Sequence, residues 1–340
     1  MRKTSLEQVY LLAKKDKRVV FVGSDLGHGT LDKFKAEMPD RFFMEGVSEQ
    51  HLTGMLAGMA LSGKVPYFNT IAVFAYRRCL EQVILDVAIP NLPVRIIASG
   101  GGFVYVPLGP THLATDDLAI LRTVPNMTVI APADAAEMAR LMPLTLNWPG
   151  PIYIRLAKGG DPVVTPADVP FRIGKAVPVA TGSDLLIITT GITLQFALVA
   201  RKMLAAEGIK AGVLHVPTVK PLDQDGILSR IAKVRGVVTI EEGVRLGGLG
   251  SAIGELMLDE GLVRPLTRIG LPDEFTLHYG TQLEQLAYYG ISGDGIVRAA
   301  RKLLGGRVRT RTLAHAARRK LLRVRPQPST QVQRGTSRRA

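Results

Sequence analysis

Residues 46–62 read GVSEQHLTGMLAGMALS. Leu52, Met55, Leu56, Met59 and Ala60 recur there at i, i+3, i+4, i+7 and i+8, the apolar stripe of a helix that packs one face on a core. The spacing predicts a helix over Ser48–Ser62, with Ser48 at the N-cap and Glu49 in the first turn. Outward from it, strand and helix signals alternate. Arg18–Ser24 (RVVFVGS), Val94–Ala98, Thr128–Ala131 and Pro151–Leu156 are short apolar runs of buried-strand type, and Ala133–Leu146 is helical. Strands alternating with helices at this spacing predict a parallel α/β sheet.

Periodicity stops at Gly159, Gly160, Pro162, Pro166 and Pro170, which mark a linker. A second α/β unit follows. Its strands are expected at Asp184–Thr189, Ala211–Val216, Gly236–Glu241 and near Ile269, and its helices include Leu194–Ala206 and Gly295–Leu304. The expected fold class is α/β: two three-layer α/β/α domains with mostly parallel sheets, over 1–157 and 176–305, joined by a linker at 158–175. At roughly 150 residues per domain, two domains also suit a chain of 340 residues.

The apolar fraction of 46% and charged fraction of 21% are ordinary for a globular chain and exclude fibrous or wholly disordered readings. A single cysteine, Cys79, excludes an intrachain disulfide framework. The longest apolar stretch, Val94–Leu108, is interrupted by Arg95, Pro107 and glycines, so no membrane span is expected. The N-terminus lacks a signal-peptide core, and the expected location is the cytoplasm. The net charge of +14 is a property of the end of the chain: residues 307–340 hold 11 Lys or Arg and no Asp or Glu, leaving +3 for the rest. With its Pro, Ser and Gln content, 306–340 reads as a basic disordered tail. It has no aromatic residue on which a base could stack, so nucleic acid is not the expected partner.

Three residues could carry chemistry. Glu49 suits a helix start through the macrodipole alone. A carboxylate beside an apolar helix face could also serve as an acid or base, and the residues alone favour the helix start. Gly109-Pro110-Thr111-His112 is a turn that presents a histidine, either to a ligand or to solvent. Arg155 closes a buried strand, where α/β sheets bind ligands and where rim salt bridges also form. Gly100-Gly101-Gly102 and Gly247-Gly248-Leu249-Gly250 match neither the dinucleotide fingerprint nor the P-loop. Gly293-Asp294-Gly295 reads as a turn opening the last helix, and the histidines and the cysteine show no zinc spacing.

Taken in order, the motifs resemble the transketolase family. Gly46–His51 with Gly54–Ala60, Thr70–Phe74 with Arg78 and Glu81-Gln82-Val83, Gly109–His112, Asp117-Leu118-Ala119 and Arg122–Asn126 are similar to its pyrimidine-binding domain. Lys220-Pro221-Leu222-Asp223, Glu241-Glu242 and Gly247–Ala252 are similar to its C-terminal domain. The resemblance spans about residues 5–304. It implies the C-terminal subunit of a split transketolase, whose cofactor is thiamine diphosphate. A separate N-terminal polypeptide is then implied to hold the diphosphate and Mg²⁺. The assembly implied is an α2β2 heterotetramer in which this chain also self-associates, and Gly54 and Gly58 suit such an interface.

The resemblance also implies roles. Glu49 matches the acid that activates the aminopyrimidine through its ring nitrogen N1′. Phe74 matches the aromatic that packs on that ring, and Ile71 stands where a second aromatic is usual, so the pocket stays apolar. Asp25 matches an acid near the cofactor. His112 matches a histidine at the reacting hydroxyls, and Arg155 an arginine that binds a sugar phosphate. Leu108 stands where an aspartate usually reads a substrate hydroxyl, and Leu113 where Gln is usual. The implied activity is transfer of a two-carbon ketol unit from a ketose or its phosphate to an aldehyde, with a nonstandard, less phosphorylated substrate expected. The alternatives are a decarboxylating subunit, like 1-deoxyxylulose-5-phosphate synthase or a 2-oxo-acid dehydrogenase β chain, and a noncatalytic regulatory partner.

Overall fold

The computed structural model describes residues 1–24, 31–157 and 159–305. The expected tail at 306–340 lies outside the described residues, as does Asp25.

The first half builds a sheet from β1 (Val19–Gly23), β2 (Phe42–Met44), β3 (Val65–Ile71), β4 (Arg95–Ser99), β5 (Thr128–Ile130) and β6 (Ile152–Leu156). The second half builds another from β7 (Val177–Ala180), β8 (Leu185–Thr189), β9 (Ala211–His215), β11 (Gly236–Val244) and β12 (Leu266–Leu271). Strands β1, β4, β6, β8 and β9 are buried end to end. That is the pattern of parallel strands covered on both faces. Successive residues feed opposite cores. Phe21, Tyr67 and Ile97 join Leu6, Val9 and Met138 on one side, and Val22, Phe68 and Ile96 join Leu52, Leu56 and Val83 on the other. Helices Arg2–Lys15 and Ala135–Thr145 therefore cover one face, and Glu49–Leu61 with the wide π turn Val83–Ala88 covers the other.

The expected helix over Ser48–Ser62 is present as Glu49–Leu61, with Ser48 preceding it but making no side-chain cap. Four strands were not expected. β3 lies between β1 and β4 despite Pro66 near its start, a residue that argues against a central strand. β2 is only three residues long. β7 is an antiparallel edge of the second sheet. A last strand, β10 (Thr218–Lys220), leaves the second half and pairs antiparallel with β5, completing a seven-stranded sheet in the first. That pairing depends on how the halves dock, which local pattern cannot express. The linker region carries no helix or strand among its described residues. It is nonetheless tied down: Asp134 caps its own helix and also accepts from the Val164 and Thr165 amides and the Thr165 hydroxyl.

β3, β4 and β6 all end at one rim of the first sheet, where loops of α/β sheets bind ligands. The turn after β3 carries Phe74 and Arg78, and the long loop after β4 carries Leu108 and His112.

Candidate active site

Glu49 is the first residue of its helix, so its backbone amide lies at the positive end of the helix dipole. Its side chain is 1% exposed. Burial of a carboxylate demands partners, and three side chains provide them in sequence. Thr70, near the end of β3, donates to Glu49 Oε1 at 3.0 Å. Ser24, at the end of β1, donates to the Thr70 hydroxyl at 2.9 Å. Arg78 Nη1 donates to Glu49 Oε2 at 3.1 Å.

The turn after β3 winds helically, with Ala75 and Arg77 amides bonded to the Ile71 and Val73 carbonyls. Phe74 and Arg78 are four apart and so share one face. The Arg78 guanidinium carbon sits 4.1 Å from the centroid of the Phe74 ring. Phe74 also meets His112, with ring centroids 5.3 Å apart at 69°. His112 closes a short turn, Pro110–His112, that follows Gly109 in the left-handed region at φ +81°. Its Nδ1 is 2.9 Å from the Thr111 hydroxyl, leaving Nε2 for another partner. Glu49, Arg78, Phe74 and His112 thus form one contiguous cluster. Ile71 ends β3 half-buried and packs into the same core as Phe74. Leu108 stands exposed one residue before Gly109, and a cavity of about 320 Å³ is lined by Pro110, Leu113, Pro272 and Phe275. Cys79 is buried, which pushes its thiol up to about 11 and leaves it unreactive at neutral pH.

Arg155 is not part of this cluster. Its side chain is 7% exposed, and its Nη2 and Nε are engaged within the protein. Nη2 donates to the carbonyls of Ala114 and Glu242 at 3.1 and 2.6 Å, and Nε lies 3.4 Å from Asp117. Burial pulls the guanidinium toward losing its proton, but Asp117 and Glu242 outweigh it and the net shift is upward. Asp117, fully enclosed and also bonded by Tyr153 at 2.8 Å, is raised by burial. With Nη2 and Nε engaged, at most Nη1 is left for the sugar phosphate expected there. Arg155 ties the first half to β11 of the second. Glu242 reinforces the tie by accepting from the Phe103 amide at 2.9 Å and from Gln282 at 2.8 Å. The glycine run explains itself here: a Cβ on Gly101 would strike Arg155, and one on Gly102 would strike the Glu242 carboxyl.

Sequence reading placed Thr70 and Arg78 in a motif but gave neither a role. Thr70 lies on the strand that Pro66 disguised. Arg78 was visible only as a motif position, although its four-residue spacing from Phe74 was the available signal. Among the described residues no three His, Cys, Asp or Glu side chains are grouped as a metal site, and no helix is long and apolar enough to cross a membrane.

Comparison with known proteins gives matches over both halves of the chain. Residues 1–160 match the transketolase pyrimidine binding domain, and residues 174–296 the transketolase C-terminal domain. The chain belongs to the transketolase family. It is 37% identical to an apulose-4-phosphate transketolase subunit from Phocaeicola vulgatus, over 88% of this chain and 96% of that one. It is 38% identical to the 1-deoxy-D-xylulose-5-phosphate synthase of Gloeobacter violaceus, over 86% of this chain but only 46% of that one. A solved structure described as a split gene transketolase, an inactive beta4 tetramer, superposes with a TM-score of 0.83 at 35% identity, covering 89% of this chain and 98% of that one. Family membership implies dependence on thiamine diphosphate. The cluster suits the aminopyrimidine of that cofactor: a buried carboxylate can bond a ring nitrogen while an adjacent aromatic face receives the flat ring.

Proposed function

We propose that this chain is the C-terminal subunit of a thiamine-diphosphate-dependent transketolase that moves a two-carbon ketol unit from a ketose or ketose phosphate to an aldehyde. The observation that carries the reading is the buried Glu49 carboxylate and the Phe74 ring, linked by Arg78, with His112 packed against that ring. When bound, thiamine diphosphate would supply the nucleophilic carbon and the electron sink that two-carbon transfer needs. Glu49 holds a proton between its carboxyl and the ring nitrogen N1′, and Thr70 fixes its other oxygen so that the carboxyl cannot rotate away. Phe74 offers the stacking face and Ile71 keeps the adjoining floor apolar. Asp25 is assigned a place near the cofactor from the family pattern. His112, oriented through Nδ1 by Thr111, offers Nε2 to the substrate's reacting hydroxyl. Leu108 lies at the approach and leaves one substrate hydroxyl unread. Arg155 braces the loop that carries His112 through the Ala114 carbonyl, and its Nη1 is assigned to a sugar phosphate from the family pattern.

The diphosphate and Mg²⁺ belong, on this reading, to a separate N-terminal subunit in an α2β2 assembly. The naming of the Phocaeicola relative as one subunit and the tetrameric state of the solved neighbour support a multi-chain enzyme in which this chain also pairs with itself. Gly54 and Gly58 face open space in the single chain and leave room for a close approach. The relative's apulose 4-phosphate supports an unusual sugar as substrate.

The test is to isolate the chain with its partner in thiamine diphosphate and Mg²⁺, and to supply ketose donors with aldehyde acceptors. A ketose two carbons longer than the aldehyde acceptor, with an aldehyde two carbons shorter than the donor and no gas released, is expected. The similarity to 1-deoxy-D-xylulose-5-phosphate synthase sustains one second reading, decarboxylation. Release of carbon dioxide from pyruvate would establish that reading instead.

A further inference from the structure

One side chain makes both contacts that an aminopyrimidine would need from this chain. The Arg78 guanidinium bonds Glu49 Oε2 at 3.1 Å and lies 4.1 Å from the Phe74 centroid. To do both, it must fill the gap between the carboxylate and the aromatic face. A guanidinium is planar, delocalised and cationic, pairs edge-on with carboxylates and stacks on aromatic rings. An aminopyrimidine protonated at N1′ is also a planar cation with N–H donors on its edge, so it makes the same two contacts by the same physics.

The surroundings separate what is fixed from what can leave. Glu49 is held through Oε1 by Thr70, which is held in turn by Ser24. Phe74 is flanked by His112. The Arg78 side chain is 45% exposed and makes no other hydrogen bond among the described residues. It is a long, flexible group anchored only by the two contacts a ligand would replace.

We propose that Arg78 is an internal stand-in for the cofactor's aminopyrimidine. It neutralises Glu49 while the site is unloaded and swings to solvent when the ring enters. A buried carboxylate left without a counter-charge is strongly unfavourable, so the exchange keeps Glu49 paired throughout loading. Arg78 is then a competitor for the cofactor and not one of its ligands. The proposal rests on the reading that Glu49 and Phe74 receive the cofactor.

The test uses the assembled complex and thiamine diphosphate with Mg²⁺, titrated calorimetrically. Arg78→Met removes the competitor and should tighten binding by about threefold, the scale of a partly exposed ion pair. Arg78→Lys keeps the charge but loses the planar stack, and should fall between the two. Unchanged or weaker binding in the Met variant overturns the proposal. A crystal structure of the loaded wild-type complex decides independently of how well the variants fold. The Arg78 guanidinium should lie beyond about 6 Å from the Phe74 centroid, outside cation–π range, and its retention on the ring overturns the stand-in. If the wild-type complex binds no thiamine diphosphate at all, the proposed function falls and takes this inference with it. If it binds with Arg78 still in place, only the stand-in falls.

Discussion

Two arginines in this molecule pair with nearly inaccessible carboxylates, and they differ in what surrounds them. Arg78 reaches Glu49 from a half-open turn and keeps 45% of its side chain in solvent. Arg155 reaches Asp117 from within a strand and keeps 7%. The same pair of charges is exchangeable in one place and sealed in the other. The second half of the chain makes the difference, because β11 and Glu242 cover Arg155 while nothing among the described residues covers Arg78. An arginine in a family motif is therefore not a ligand residue by its type. Its free donors decide.

The strongest way to break this comparison is at the sealed pair. Arg155→Met leaves Asp117 buried without a counter-charge and should cost about 3–5 kcal/mol of stability, read as a shift in the denaturant midpoint at constant slope. Adding Asp117→Asn should recover much of that loss. A midpoint unchanged by Arg155→Met would show that the pair is not sealed and would leave more of Arg155 than Nη1 to the substrate. At the open pair the balance reverses. Glu49→Gln keeps the shape and frees an arginine that already faces water, so the melt should hardly move. Turnover of the assembled complex should fall by at least about 100-fold, the scale of a lost acid–base group. Activity within a few-fold of wild type would favour the noncatalytic alternative.

The two regions were unequally legible in sequence. The amphipathic stripe of 48–62 and the apolar runs of β1, β4, β6, β8 and β11 are local patterns, and each element formed within a few residues of its expected limits. Family pattern placed Glu49, Phe74 and His112 near a common site, and they do lie together. What stayed hidden was non-local. β3 was masked by Pro66, and with it Thr70's approach to Glu49. β10 crosses between the halves. Burial of Arg155 follows from the docking of β11, which no window around residue 155 contains.

A smaller effect sharpens the sealed side. Glu241, next to Glu242 on β11, caps the helix Leu249–Asp259 by accepting from the Leu249 and Gly250 amides at 2.8 Å. Burial nevertheless raises its carboxyl from 4.5 to about 7. The folded state thus binds this proton more tightly than the unfolded one. Its stabilising contribution is complete below about pH 4.5 and declines as pH rises to about 7. Subtracting the pH profile of a Glu241→Gln variant from that of wild type should isolate a loss of roughly 1–3 kcal/mol across that window. A flat difference would mean that the helix amides and Arg155 hold Glu241 ionised.

The least stability change is expected at the rim of the open side. Leu108 is 54% exposed and lies in a turn already held by backbone bonds from the Leu108 and Gly109 amides to the Tyr105 and Val106 carbonyls. Leu108→Asp should therefore alter stability by no more than about 0.5 kcal/mol. Any effect must come through the substrate. A carboxylate there adds an acceptor for a sugar hydroxyl, and a site that bonds a hydroxyl discriminates far more sharply than one that merely tolerates it. The variant should raise kcat/KM for polyhydroxylated ketoses relative to deoxygenated ones by about 10-fold, the scale of one hydrogen bond to a charged group, and it should lower kcat/KM for phosphorylated donors through like-charge repulsion. If both ratios stay put while Glu49→Gln still abolishes turnover, Leu108 lies outside the substrate's path. The open region then ends at His112, and selectivity resides with the partner chain.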